Sequence, residues 1–211
     1  MNQVSSSNAR KKPKTARGQK TQARLLEAAE VEFGERGFHE AAITGITQRA
    51  GVALGTFYVY FDSKEEIFRA LVAHMGHLTR TFIAERVGAT PNRIAAERLG
   101  LEAFIEFARR HKNLYRIVME AQFVAEDAYR DYYTVFADSY CKNLERAAEL
   151  GQIRGGGEEE RAWALIGLNV FLGMRFAVWD DSRPVTAIAQ SVGDFIEFGL
   201  SPARPTRRDQ R

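Results

Sequence analysis

The chain has little cysteine, little proline and none of the short signatures that mark common enzymes. Cys141 is the one cysteine, so no intramolecular disulfide can form, which is compatible with a reducing cytoplasm. Beside Tyr140 in a helical pattern, it reads as a packing residue. Five prolines in 211 residues, and no long alternating Val/Ile/Thr runs, argue against sheet and for an all-α chain. The N-terminus lacks the apolar segment of a signal peptide. The longest apolar stretch, Ala162 to Trp179, is interrupted by Asn169 and Arg175 and falls short of the ~20 residues that cross a bilayer, so no membrane partner is expected. There is no Gly-x-Ser-x-Gly, no His-Glu-x-x-His and no glycine-rich phosphate loop, so the reading is not an enzyme and needs no cofactor. His74 and His77 stand at i, i+3 without an acidic or thiol partner nearby and read as packing or exposed residues, not metal ligands.

What is present is a lopsided charge. Residues 1–24 hold Arg10, Lys11, Lys12, Lys14, Arg17, Lys20 and Arg24 with no acid. The tail 201–211 carries +3, which leaves −7 for the residues between, from a total of +3. A basic arm on an acidic body implies one polyanion-binding end. Residues 1–18 bury nothing and read as a disordered arm that tracks phosphates or enters the minor groove.

The stretch from Ile43 to Leu71 organises the rest. Ile43, Ile46 and Ala50 give one short helix an apolar face. Gly51 supplies the freedom a sharp turn needs, and a second helix over Leu54–Tyr60 points Phe57 and Phe61 inward. Thr56, Tyr58, Val59 and Tyr60 are left to point elsewhere. Asp62 or Ser63 then caps a third helix whose first turn is acidic. Before this unit, Leu25, Leu26, Ala29 and Phe33 form the buried stripe of a helix over 19–36 that Gly37 ends. The spacing predicts a helix-turn-helix with its second helix exposed.

Gly51-Val52-Ala53-Leu54-Gly55-Thr56-Phe57-Tyr58-Val59-Tyr60-Phe61, then Ser63-Lys64-Glu65, resembles the DNA-binding signature of the TetR family of bacterial one-component repressors. Leu25 to Ala29, Phe33 and Gly37-Phe38 are similar to that family's first helix, and the match runs over residues 20 to 72. Ala53-Leu54 departs from the Ser-Lys that many members carry. The resemblance implies that Thr44, Tyr58, Tyr60 and Lys64 hold phosphates while Leu54, Gly55, Thr56 and Val59 lie nearest base edges, with Ala53 beside them. It implies a double-stranded operator, a homodimer and a small-molecule effector, in the cytoplasm and at the nucleoid when bound to DNA. The expected organisation is a basic arm (1–18), a three-helix DNA-binding domain (19–66), a larger effector-binding and dimerisation domain (67–200) and a basic tail (201–211).

Further along, apolar periodicity predicts helices over 64–87, 94–110, 114–123, 129–150, 161–179 and 185–200. Their aromatic residues form a group whose tyrosine hydroxyls need partners when buried, as in an amphipathic pocket. The candidates are Phe104, Phe107, Tyr115, Met119, Phe123, Tyr133, Phe136, Tyr140 and Phe171. Arg175, in an otherwise apolar helix, reads as snorkelling, paired with Asp180 or Asp181, or waiting for an anionic head; an aromatic or fatty carboxylate or its coenzyme A thioester is the expected effector. The helix over 161–179 is apolar round most of its circumference and so needs cover on more than one side. A two-fold seam with the last helix, through Gly167, Ile188, Val192, Phe195 and Ile196, supplies it. The reading is a repressor released by its effector, with an activating or ligand-independent regulator of the same fold as the alternative.

Overall fold

The computed structural model describes residues 13, 15–88, 90 and 92–200; most of the basic arm and the whole basic tail lie outside the described residues. Among those described, every regular element is helical: α1 (Ala16–Arg36), α2 (Ile43–Ala50), α3 (Leu54–Tyr60), α4 (Lys64–Val87), α5 (Arg93–Arg110), α6 (Asn113–Val124), α7 (Glu126–Glu149), α8 (Glu158–Gly173) and α9 (Val185–Leu200). Side-chain caps explain several of the starts. The Thr15 hydroxyl accepts from Gly18 N at 3.1 Å, so α1 begins three residues before the expected position 19, inside the segment expected to be arm. Ser63 accepts from Glu66 N, and the Glu66 carboxylate in turn accepts from Asp62 N. Asn92 caps α5 through Ala95 N at 2.8 Å. Between α2 and α3, Gly51 takes φ 62°, and its N–H is held by Gln48 and Thr47 carbonyls, as a left-handed turn requires.

Phe33, Phe38 and Phe68 pack edge and face about 5 to 6 Å apart, and with Leu25, Ile46 and Phe57 they close the core under α1 to α3. Each such side chain stabilises the fold by roughly 1.5–3 kcal/mol on burial. This core does not stop at residue 66. It continues through Leu71, Met75, Phe107, Ile117 and Tyr132, so α4 runs unbroken from the first three helices into the rest of the bundle. A boundary drawn at residue 66 or 67 therefore falls inside a helix and a shared core. α6 locks to α1 independently: Arg116 donates to the Gly34 and Glu35 carbonyls, and Glu120 accepts from Phe38 N at 2.9 Å.

α5 is the central strut, packed on α4, α8 and α9. Arg98 bridges Asp194 and Glu197 of α9 at 2.9 and 2.7 Å. α8 continues through a π-helical segment, Met174–Trp179, so the continuous helix has 22 residues and by length and composition would reach across a membrane. The added length at its start is Glu158, Glu159, Glu160 and Arg161, all charged, ahead of the apolar stretch from Ala162. The helix packs on α5 and α7 through Ala162, Leu165 and Ile166, yet only 28% of its apolar window is buried. Trp163 and Phe171 stay exposed, and a Cβ added at Gly167 would point into open space. On α9, Phe195 and Phe198 are 71% and 83% exposed.

Candidate functional site

The seven-residue helix α3 is anchored from below and bare above. Phe57 and Phe61 are buried, whereas Ala53, Leu54, Gly55, Tyr58 and Val59 are exposed and Thr56 and Tyr60 half-buried. Thr44 is exposed at the start of α2. The structure brings these residues onto the outer side of the α2–α3 pair. Lys64 is the exception, because its side chain is engaged within the protein. Its ammonium donates to the Phe38, His39 and Ala41 carbonyls at 2.8, 3.2 and 3.0 Å and lies 4.6 Å over the Phe38 ring. All three of its protons are engaged in holding the turn between α1 and α2. Arg24 is similarly used, donating to the Ala50 carbonyl at the C-terminus of α2. Among the described residues, Arg17 and Lys20 are exposed cations on the first turns of α1. A Cβ on the intervening Gly18 would lie 3.5 Å from the Tyr60 hydroxyl, which places this end of α1 beside the end of α3.

A cavity of about 270 Å³ lies among α4, α5, α7 and α8. Each helix gives it one face: Arg80, Ile83, Ala84 and Val87 from α4, Arg93, Ala96, Gly100 and Phe104 from α5, Tyr132, Tyr133, Phe136, Ser139, Tyr140 and Asn143 from α7, and Ile166, Asn169 and Val170 from α8. These spacings of three, four and seven are what one side of a helix presents. Of the expected ligand contacts, Phe104, Tyr133, Phe136 and Tyr140 meet here. The others do not. Phe107 is buried against Phe82 and stacks on His111. Tyr115 stands behind the wall, its hydroxyl donating to the Val170 carbonyl at 3.0 Å. Met119 and Phe123 lie on the outer face of α6, and Phe171 is exposed on the far side of α8. Arg175 is turned outward by the π-helical segment and pairs with Asp180 at 3.3 Å, so the anionic head assigned to it has no basis there. Two hydrogen bonds from Ser182, then Arg175, hold the Asp180 carboxyl down at about 2.

The polar groups of the cavity are specific. Tyr140 donates to the buried Glu97 carboxylate, whose other oxygen lies 2.8 Å from Arg93 Nε but off the line of a good hydrogen bond. Burial raises the Glu97 carboxyl above its ordinary range despite Arg93. Burial likewise raises Tyr132, to about 12, and Tyr133. A second cavity of about 250 Å³ opens between α4 and α7, lined by Arg69, Gly76, Asp127, Asp131 and Val135, with Arg80 and Tyr132 shared between the two. Sequence reasoning missed Arg80. The available signal was its place on the stripe Gly76, Arg80, Ile83, Ala84, Val87, a second apolar face of α4.

Residues 25–71 match the family profile described as bacterial regulatory proteins, tetR family. That segment, from α1 to the first turns of α4, is a tetR-type DNA-binding segment. Over 192 residues, 89% of this chain and 96% of the relative, it is 29% identical to the uncharacterized HTH-type transcriptional regulator YdgC of Bacillus subtilis. Over 103 residues, 48% of this chain and 47% of the other, it is 32% identical to the HTH-type transcriptional activator FasR of Mycolicibacterium smegmatis. The transcriptional regulator FadR of Bacillus subtilis, solved in complex with stearoyl-CoA, superposes with a TM-score of 0.70 at 19% identity, over 82% of this chain and 96% of that one. α2 and α3 are the helix-turn-helix of the matched segment, and the relative that the chain matches over most of its length is an HTH-type transcriptional regulator.

In both dimer-seam helices the assignments also divide. Ile188 and Ile196 are buried within their own protomer, on α5 and against α8. They are corrected to core residues. Val192 is half-buried between the same clusters, while Phe195 and Gly167 remain on the open face.

Proposed function

We propose that the protein is a homodimeric repressor that binds a pseudo-palindromic operator through α3 and is released when a small amphipathic molecule enters the cavity among α4, α5, α7 and α8. The observation that carries this reading is α4 itself: one helix that caps against the turn below α1 and lines the cavity with Arg80, Ile83, Ala84 and Val87. A ligand that displaces its far half moves its near half, and with it α3. To take a population from 1:99 to 99:1 the ligand must favour the released state by ~5.5 kcal/mol. The FadR relative solved with stearoyl-CoA supports an acyl compound as the class of effector, and the aromatic lining of the cavity suits an apolar body of either an acyl or an aromatic acid.

The dimer surface in this reading is the open face of α8 and α9, through Trp163, Gly167, Phe171, Phe195 and Phe198. Two copies joined there by a two-fold axis set two reading helices about one DNA turn (~34–36 Å) or a multiple apart. With no Arg, Asn or Gln in α3, sequence is read by the methyls of Leu54, Thr56 and Val59 together with DNA shape, while Tyr58 holds a phosphate. Ala53, Gly55, Tyr60 and Thr44 complete the contact surface. Phosphates are held by Arg17 and Lys20, in place of Lys64. Lys20→Ala should weaken binding to every duplex and lower the log–log salt slope by ~1 unit. An unchanged slope with altered base preference would instead make Lys20 a base contact.

Selection from a random duplex pool tests the proposal. It should recover a sequence with two inverted half-sites, and placing that sequence across a promoter should lower expression when the protein is present. Expression that rises would favour activation, the role carried by the FasR relative. Recovery of single, unpaired half-sites would count against the dimer.

A further inference from the structure

Arg80 sits where the two cavities meet, and it is the cation of that region whose charge is not met by a carboxylate. Arg93 is paired with Glu97 at 2.8 Å and Arg69 with Asp127 at 3.1 Å. Among the described residues Arg80 has no ion pair or hydrogen bond; its guanidinium lies 5.3 Å over the Phe136 ring and beside Tyr132. The niche is shaped for it. A Cβ on Gly76 would lie 3.0 Å from both an Arg80 nitrogen and the Tyr132 ring, so a larger residue there would crowd the two. Half-buried and partly stripped of water, this guanidinium is a donor fork held ready for one planar anion.

Size and charge then narrow the class. A water-sized group's share of liquid volume is ~30 Å³, so the inner cavity of about 270 Å³ takes about nine such groups, well short of a stearoyl chain, which has about twice as many. In the outer cavity, where a larger head would project, Arg69 is already paired with Asp127, so once Arg80 holds one carboxylate the remaining charge is Asp131, which offers the several negative charges of a coenzyme A head no counter-ion. Resting on the reading of this cavity as the effector site, we propose that the effector is a free monocarboxylate with a compact apolar body, a medium-length acyl chain or a single substituted ring. Its carboxylate bonds to Arg80, and its body points inward to Phe104, Ile166 and Val170.

Calorimetry of the full chain with octanoate, decanoate, 3-phenylpropanoate, the matching neutral alcohols, stearate and octanoyl-CoA tests this. The three compact acids should bind about ten- to a hundred-fold more tightly than their alcohols, the value of a charge-assisted hydrogen bond. Arg80→Gln should erase that preference, while Arg80→Lys, which keeps the charge, retains part of it. Both variants should keep the alcohols' affinity, which also shows that the cavity is still formed. Equal binding of acids and alcohols, a preference that survives Arg80→Gln, or tighter binding of stearate or octanoyl-CoA would each overturn the proposal. Any of these leaves release of the operator by some other cavity ligand standing. If compact acids bind in the Arg80-dependent manner but leave operator binding unaltered, the carboxylate site holds and the repressor-release reading fails.

Discussion

Lys64→Met should lower the thermal midpoint by about 10 °C and abolish specific DNA binding, although the side chain touches no DNA in this account. The substitution keeps the length and packing of the stem but leaves three carbonyls, those of Phe38, His39 and Ala41, without their donor. Charge-assisted bonds of this kind are each worth ~1.5–3 kcal/mol, and relaxation with entering water recovers part of the sum, so a loss of about 2–4 kcal/mol is expected. In a chain of this size that is a shift of ~5–15 °C. The turn between α1 and α2 would loosen, and α2 supports the reading helix. Thermal unfolding followed by circular dichroism decides it. A variant as stable as the parent, with a salt slope reduced by ~1 unit, would return Lys64 to the phosphate-binding role that the family signature implied.

Phe195→Glu should convert the protein to a monomer while leaving it folded. In the protomer the ring is 71% exposed, so its own chain loses little. In a two-fold dimer each substitution occurs twice, removing two apolar side chains at ~1.5–3 kcal/mol each and burying two carboxylates beside Asp194 and Glu197. Dimer dissociation should rise at least about a thousand-fold, the equivalent of ~4 kcal/mol. Ile196→Glu is the contrasting case: Ile196 is 4% exposed against α8 and α7, so the protomer itself should unfold. Sedimentation together with helicity separates the two. A Phe195→Glu protein that stays dimeric would move the seam to another surface.

The contrast between these neighbours shows what periodicity carries and what it leaves open. Spacing of Ile188, Val192, Phe195 and Ile196 marked a helix that the structure contains, but it could not say that Ile188 and Ile196 pack inward while Phe195 stays exposed, because all of them are apolar. The helix-turn-helix was legible to the residue over Ile43–Ala50 and Leu54–Tyr60, since a buried stripe, a left-handed glycine and a serine cap all act locally. The start of α1 was placed late because Thr15 acts as a cap in a stretch whose charges resemble disorder. Arg175 was the more conspicuous arginine in the sequence, alone in an apolar run. Its helix loosens into a π-helical segment there and swings it to Asp180, a change in phase that a fixed period of 3.6 does not register. Arg80 became visible only once α4 and α7 were packed, because its niche depends on Gly76 and on Tyr132 and Phe136 from a helix some fifty residues away. The Lys64 contacts were hidden for a related reason: its acceptors are backbone carbonyls, which no residue pattern records.

The most direct test of the account is a mobility-shift titration of the full chain against the duplex upstream of its own coding sequence, at physiological salt, with and without decanoate. Ligand-controlled repression predicts one retarded species containing a dimer at nanomolar protein, and its return to free DNA as decanoate rises, but not as decanol does. Retention of the complex at concentrations of decanoate that calorimetry shows to fill the cavity, or no retarded species on any recovered duplex, would contradict it.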